Sequence, residues 1–269
     1  MTTQNNGLVA LVTGGSKGIG KEIAKTLAKE GYNVYIAGRN ENNLQNAVNE
    51  FKEEGLNVNP IQADMADVSS INNLFETIMS EVSCIDVLVN NAGIGSMDNK
   101  IWDVNLDDWW NVWNVNLRGP MLLSGLVVPK MLEKNSGKII NIGSYAGIRP
   151  SIGTSSYSMS KGALISLTEN FGMATKDTGI SVFAFSPGLV KTDMTKDLPF
   201  FKDVPPEHWT PVEKSGELVI KLISGKYDKL TGCFLHVTHD LDQILENADK
   251  IREERLYTLR YVTLDGLVR

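Results

Sequence analysis

A chain of 269 residues, 42% apolar and 22% charged, has ordinary globular composition and can bury a large core without a metal or disulfide staple. Its formal net charge of −6 is spread along the sequence with no basic stripe, which excludes nucleic-acid binding as a main activity. Cys84 and Cys233 sit far apart in apolar runs, the stretch 1–7 has no leader profile, and no apolar run approaches the roughly 20 residues that span a bilayer, so a soluble cytoplasmic protein with free thiols and no membrane contact is expected.

A strand at 8–13 runs into a glycine-rich turn and a helix at 21–30. Strands at 33–37, 58–62 and 85–89 follow, separated by amphipathic helices at 44–54 and 69–80. A long helical stretch at 107–134 leads to a strand at 138–143, a helix at 157–178 and a strand at 181–185. The strand segments are short and rich in Val, Ile and Leu, as strands buried on both faces must be. Their alternation with helices predicts α/β class: a Rossmann-type doubly wound parallel sheet of about seven strands, helices on both faces, in a single domain. The rhythm breaks at 189–210, where Pro199, Pro205 and Pro206 stand among Met194, Leu198, Phe200, Phe201 and Trp209. A loop of about 20 residues inside a compact domain is usually functional, so a substrate lid is expected there. Its apolar side chains either face the substrate or pack the lid on its own helix. A helix at 212–223, a strand at 232–237 and a charged amphipathic helix at 240–254 follow, the last within an extension at 240–269 beyond a core of 8–237.

The turn after the first strand reads Thr13-Gly14-Gly15-Ser16-Lys17-Gly18-Ile19-Gly20. Glycine there lets the backbone turn tightly and approach a pyrophosphate, and the helix N-terminus that follows offers free N–H groups and a partial positive charge. The spacing is Gly-x-x-x-Gly-x-Gly, not the commoner Gly-x-Gly-x-x-Gly. The second strand ends at Ala37-Gly38-Arg39-Asn40, with Gly38 where an acid would bind the ribose of NAD. Arg39, with Lys17 as a second positive charge, suits the 2′-phosphate of NADP(H).

Tyr157 and Lys161 are four residues apart on a helix, which puts phenol and ammonium on one face. The ammonium stabilises the phenolate, and Ser144, at the end of the fifth strand, can bond the same substrate oxygen. Other features leave two readings open. Asp64 is either a cofactor contact or a helix N-cap, and Asn116 is either part of a proton relay or a buried polar residue bonding backbone. Trp102, Trp109, Trp110 and Trp113 form either a core or subunit face or one wall of an apolar substrate pocket. Arg149 is either a solvated turn residue or a contact for an anionic substrate tail. The stripe Ile244, Leu245, Ala248 and Ile251 must pack on its own domain or on another subunit. His208 reads as a surface or substrate-edge residue. Cys233, His236 and His239 are close in sequence, but Cys233 and His236 would point to opposite faces of a strand, so no metal is expected.

Taken in order, Thr13–Gly20, Asp64, Asn90-Asn91-Ala92-Gly93, Asn116-Leu117-Arg118-Gly119, Ser144, Tyr157/Lys161 and Pro187-Gly188 resemble the motifs of the short-chain dehydrogenase/reductase family over residues 8–237. The resemblance implies a ketoreductase-like NADP(H) oxidoreductase. Tyr157 would exchange the proton with the carbonyl or alcohol oxygen, Ser144 would hold that oxygen, Lys161 would bind the nicotinamide ribose, and Asn116 would hold a relay water. Gly14, Ser16, Lys17, Gly18, Ile19 and Gly20 would cradle the cofactor, with Arg39, Asp64 and Met65 at its adenosine end. Asn91, Ala92 and Gly93 would pack beside it, and Pro187, Gly188, Val190 and Thr192 would border the nicotinamide. The expected substrate is a largely apolar ketone or 3-oxoacyl compound, and the expected assembly a homodimer or homotetramer through the helices at 107–134 and 157–178. The chain departs from the family at Val237-Thr238-His239-Asp240, where a glycine-bearing tail is usual, which puts the tetramer in doubt. Alternatives are an NAD(P)+-dependent alcohol dehydrogenase and a non-catalytic dinucleotide sensor.

Overall fold

The computed structural model describes residues 7–97, 100–150, 152–196, 201–263 and 266–267; Leu198, Pro199 and Phe200 lie outside the described residues. Strands β1 (Val9–Thr13), β2 (Asn33–Gly38), β3 (Val58–Gln62), β4 (Val87–Asn90), β5 (Gly137–Ile142), β6 (Ile180–Ser186) and β7 (Phe234–His236) form one sheet in the order β3-β2-β1-β4-β5-β6-β7. Every pairing is parallel. Chain order reverses between β1 and β4, and open sheets of this kind bind ligands in the crevice beyond the carboxyl ends at that point.

The inner strands are largely apolar because helices cover both faces; all seven residues of β6 are buried, whereas edge strand β3 is buried only at Val58. Against one face lie α1 (Gly18–Lys29), α2 (Glu41–Glu53), α7 (Glu213–Ile223), α8 (Leu241–Glu246) and α9 (Ala248–Glu254). The stripe Ile23, Leu27, Leu44, Val48, Phe51, Leu218 and Leu222 is buried there with Ile36 and Phe185. The C-terminal stripe resolves the same way: Ile244, Ala248 and Ile251 are buried in this core. Against the other face, α3 (Val68–Met79) and α5 (Gly119–Lys134) bury Ile71, Leu74, Leu123 and Val127 on Leu11, Leu88 and Val182.

Two of the expected helices are interrupted. The stretch at 107–134 is not one helix: α4 (Leu106–Trp113) passes through a π-helical turn, Asn114–Arg118, before α5. Such wide turns recur at functional sites. This one lies where the helix crosses the loop after β3, so closely that a Cβ on Gly119 would be 2.6 Å from the Met65 carbonyl oxygen. The expected helix at 240–254 is divided at Asn247, whose side-chain amide donates to the Gln243 carbonyl and so competes with the backbone ladder. Helix α6 (Ser155–Ala174) starts two residues earlier than expected, and Tyr157 lies in its first turn.

Candidate active site

At the carboxyl end of β1 the Thr13 hydroxyl accepts the N–H groups of Asn91 and Ala92, both at 3.0 Å. The Asn91 amide donates to the carbonyls of Thr13 at 2.8 Å and Gly14 at 3.2 Å. These four bonds clasp the glycine turn to the end of β4. Gly14 and Gly18 have φ of +65° and +52°, which L-residues with a side chain rarely adopt. Gly20 faces the clasp, and a Cβ there would be 2.3 Å from Asn91 Nδ2. It supports the turn from beneath and does not line the cavity. Helix α1 has no side-chain cap and no acid in its first turn, so its N–H groups are open to an anion.

From this turn a cavity of 1060 Å³ runs along the strand ends to Ser144, Tyr157 and Lys161. Of the residues expected to touch a cofactor, all but Gly20 line it, including Ser16, Ile19, Asp64, Met65, Ala92, Gly93, Pro187, Gly188, Val190 and Thr192. The left-handed glycines and the uncapped helix end fit a pyrophosphate. Arg39 is exposed on the wall with no ion pair among the described residues. Lys17 differs: its ammonium reaches across the cavity mouth to Asp193, 3.3 Å away, and Asp193 also pairs with Lys196 at 2.8 Å. Its charge therefore has a competing partner. Asp64 does not cap α3; Asp67 does, accepting from Ser69 N–H. The Asp64 carboxylate accepts from Ala66 N–H at 2.9 Å.

At the other end Ser144 follows β5, and its hydroxyl caps the short turn Tyr145–Ile148 by accepting from Ala146 N–H at 3.1 Å. Burial pushes the Tyr157 phenol above its ordinary value, and the Ser144 hydroxyl beside it opposes this only in part. Lys161 is 4% exposed and donates to the Ile142 carbonyl at 2.8 Å. Burial pushes its ammonium down to about 8. Asn116 sits inside the π turn, fully buried: its Oδ1 accepts from Ile94 N–H at 2.9 Å, and its amide donates to Ile94 O and Ser160 Oγ. A Cβ on Gly93 would be 3.3 Å from Asn116 Oδ1 and 3.6 Å from Lys161 Nζ, so these two atoms flank Gly93. Asn116 does not line the cavity itself.

The tryptophans stand elsewhere, for none lines the cavity. Trp109 and Trp113 stack at 5.5 Å, as their four-residue spacing requires. Trp109 Nε1 donates to Ser155 Oγ, and its carbonyl accepts from Ser156 Oγ at 2.6 Å, which ties α4 to the first turn of α6. The loop at 189–210 divides its apolar residues: Met194 lines the cavity, whereas Phe201 and Trp209 meet edge-on at 6.0 Å. His208 is exposed. Arg149 is exposed at the end of the short turn and does not line the cavity, as a solvated turn residue would be; its guanidinium stands over the Tyr145 ring at 5.7 Å. Burial pushes the Cys233 thiol up to about 12, which makes it inert. Sequence reasoning missed Asp193 and Ser96, whose hydroxyl accepts from Tyr157 N–H at 3.2 Å. No local pattern marks either one, because both act across the fold.

Residues 8–201 match the family model described as short chain dehydrogenase. A short chain dehydrogenase of Pseudocercospora fijiensis is 30% identical over 94% of this chain and 89% of its own length. A 3-oxoacyl-[acyl-carrier-protein] reductase of Staphylococcus aureus is 35% identical over 85% of this chain and 95% of its own. Among solved structures, a single-substitution variant of actinorhodin polyketide ketoreductase with NADPH is 31% identical, with a TM-score of 0.81. That match covers 90% of this chain and 99% of the ketoreductase.

Proposed function

Because this chain belongs to the short-chain dehydrogenase family, whose members are oxidoreductases using a nicotinamide dinucleotide, we propose that it reduces a ketone or 3-oxoacyl-type carbonyl with NADPH, Tyr157 giving the proton. The observation that carries the reading is the meeting of Ser144, Tyr157 and Lys161 at one end of a cavity whose other end is an uncapped glycine turn beside Arg39. The cofactor, when bound, supplies the hydride.

The chain's own residues do the rest. Ser16 to Ile19, at the uncapped start of α1, would hold a pyrophosphate through backbone N–H groups, and Arg39 would pair with a 2′-phosphate. Lys17, now paired with Asp193, would be the second positive charge available to that phosphate. Ser144 turns its hydroxyl toward the carbonyl oxygen and polarises it. Tyr157 donates its proton to that oxygen as the alcohol forms. The phenol is protonated at neutral pH, and burial raises it further, so a proton is there to donate. Lys161, fixed by the Ile142 carbonyl, faces the Tyr157 ring at 5.8 Å and stabilises the phenolate that remains. Both amide hydrogens of Asn116 are engaged, so only the spare lone pair of its Oδ1 is left for a relay water beside Lys161. Ile94 and Met194 line the substrate end, which suits a largely apolar carbonyl compound. With serine, tyrosine and lysine all present and convergent, a purely sensing role has no support.

The test is a panel of ketones, quinones, sugars and acyl thioesters incubated with NADPH carrying deuterium at the transferable position. Loss of NADPH with deuterium on the carbinol carbon of one class is the expected result. No transfer to any class, or faster transfer from NADH, overturns the reading.

A further inference from the structure

The short turn that carries Ser144 is held from behind. A Cβ on Gly143 would lie 2.8 Å from Phe234 Cε2, so this ring lies directly against the backbone leading into Ser144. Tyr145, the next residue after Ser144, meets Phe234 edge-on at 6.0 Å. It also stacks on His236 at 4.7 Å, with 3° between the rings. Both partners belong to β7, the last strand of the sheet, so the catalytic turn is only as well placed as β7.

Among the described residues strand β7 pairs with β6 alone, and residues that follow α9 lie on its other side. Phe234 N–H donates to the Tyr257 carbonyl at 2.7 Å. Leu259 packs against the cluster of Ile165, Ala184 and Phe234, the same cluster that Tyr145 packs against, so the two share Phe234's surroundings. Tyr257 has φ of +58°, a conformation that a non-glycine residue keeps only where its surroundings hold it. Here His239 meets its ring edge-on at 5.6 Å. Arg255 and Arg260 both pair with Glu169 on α6, and Arg260 Nη1 donates to Glu169 Oε2 at 2.9 Å. Glu169 and the Arg260 side chain are each 14% exposed, so this contact is much better shielded than an ordinary surface pair.

We infer that segment 255–261 is a positioning strap for the catalytic turn: through Phe234 and Tyr145 it fixes where the Ser144 hydroxyl stands opposite Tyr157. The inference rests on the proposed role of Ser144 in holding the substrate oxygen. Phe234, Tyr145 and Leu259 touch no substrate and act through Ser144, so they are positioning residues. The physical reason is that hydroxyl alignment fails over small distances: a displacement of about 1 Å costs on the order of 100-fold in rate.

The test uses the full chain with NADPH bound. In the double variant Glu169→Gln, Leu259→Ala, which loosens the strap at its ion pair and at its apolar anchor, amide exchange is expected to quicken at 255–261 and also at 143–149. The kcat for carbonyl reduction falls about tenfold, while KM and NADPH affinity stay within about twofold. Tyr145→Ala alone gives the same loss of kcat, and Tyr145→Phe, which keeps the ring, restores most of it. Faster exchange at 255–261 with 143–149 and kcat unchanged overturns the strap, and so does a loss confined to NADPH affinity. If the double variant leaves 255–261 as protected as before, Tyr145→Ala decides: unchanged kcat overturns the inference. Exchange does not depend on turnover, so a wild-type chain that reduces no carbonyl defeats the proposed activity while the coupling of the two segments is still read.

Discussion

The two ends of the cavity are held in place by different kinds of contact. At the glycine turn the site is backbone: left-handed Gly14 and Gly18, the open end of α1, and carbonyls clasped by Asn91. At the carbonyl end it is side chain: Ser144, Tyr157 and Lys161 come from two separate elements. Behind them stand β7, the loop after α9 and, through Trp109, helix α4. A backbone cradle recognises what all dinucleotides share, and it is encoded within a few residues. A side-chain site selects and reacts, and its precision depends on residues far away in sequence.

Changes at the two ends should therefore separate in kinetics. Apart from loss of the Tyr157 phenol itself, the largest effect belongs to Lys161→Met, which removes the ammonium beside Tyr157 and is expected to lower kcat about 1000-fold in steady-state assays of carbonyl reduction. A change in KM alone would mean that Lys161 belongs to the binding end only. Next, Arg39→Asp is expected to weaken NADPH about 100-fold, and NADH by no more than about threefold, in calorimetric titrations. Lys17→Ala should weaken NADPH less than the Arg39 change, because Lys17 already has Asp193 as a partner. Equal losses for the two cofactors would break the assignment of this end to the 2′-phosphate.

The smallest effect is on pH dependence, and its sign follows from burial. Lys161 is pushed down to about 8 from an ordinary 10.5, so it keeps its charge at neutral pH and loses it through about 8. Reductive kcat/KM is expected to decline above that point, as the phenolate left on Tyr157 loses its counter-charge. For stability the direction is opposite. Between about 8 and 10.5 the unfolded chain still binds a proton that the folded chain has released, so this group's contribution to unfolding free energy rises with pH over that window. A flat rate profile across pH 8 would contradict the role given to Lys161.

The same contrast explains what could be read from the sequence. Buried strands and amphipathic helices gave the sheet and its order of elements, because period and apolarity are local signals. Tyr157 and Lys161 were legible as a pair one helical turn apart, and the glycine turn as a strand-to-helix junction. Lys17 was legible as a charge but not as the partner of Asp193, 176 residues away. The π turn at Asn116 arises where α5 crosses the Met65 loop, and no periodicity reports a crossing. The seat of Tyr145 on β7, against the cluster that Leu259 also joins, depends on segments that meet only in the folded chain.

The central claim is that Tyr157 donates the proton at the carbonyl end while the glycine-turn end binds the cofactor independently. Tyr157→Phe tests it most directly, with NADPH affinity and single-turnover carbonyl reduction measured on the same protein. The account predicts affinity within about twofold of the wild type and a reduction rate lower by at least about 1000-fold. A variant that still reduces the carbonyl at close to the wild-type rate would contradict it.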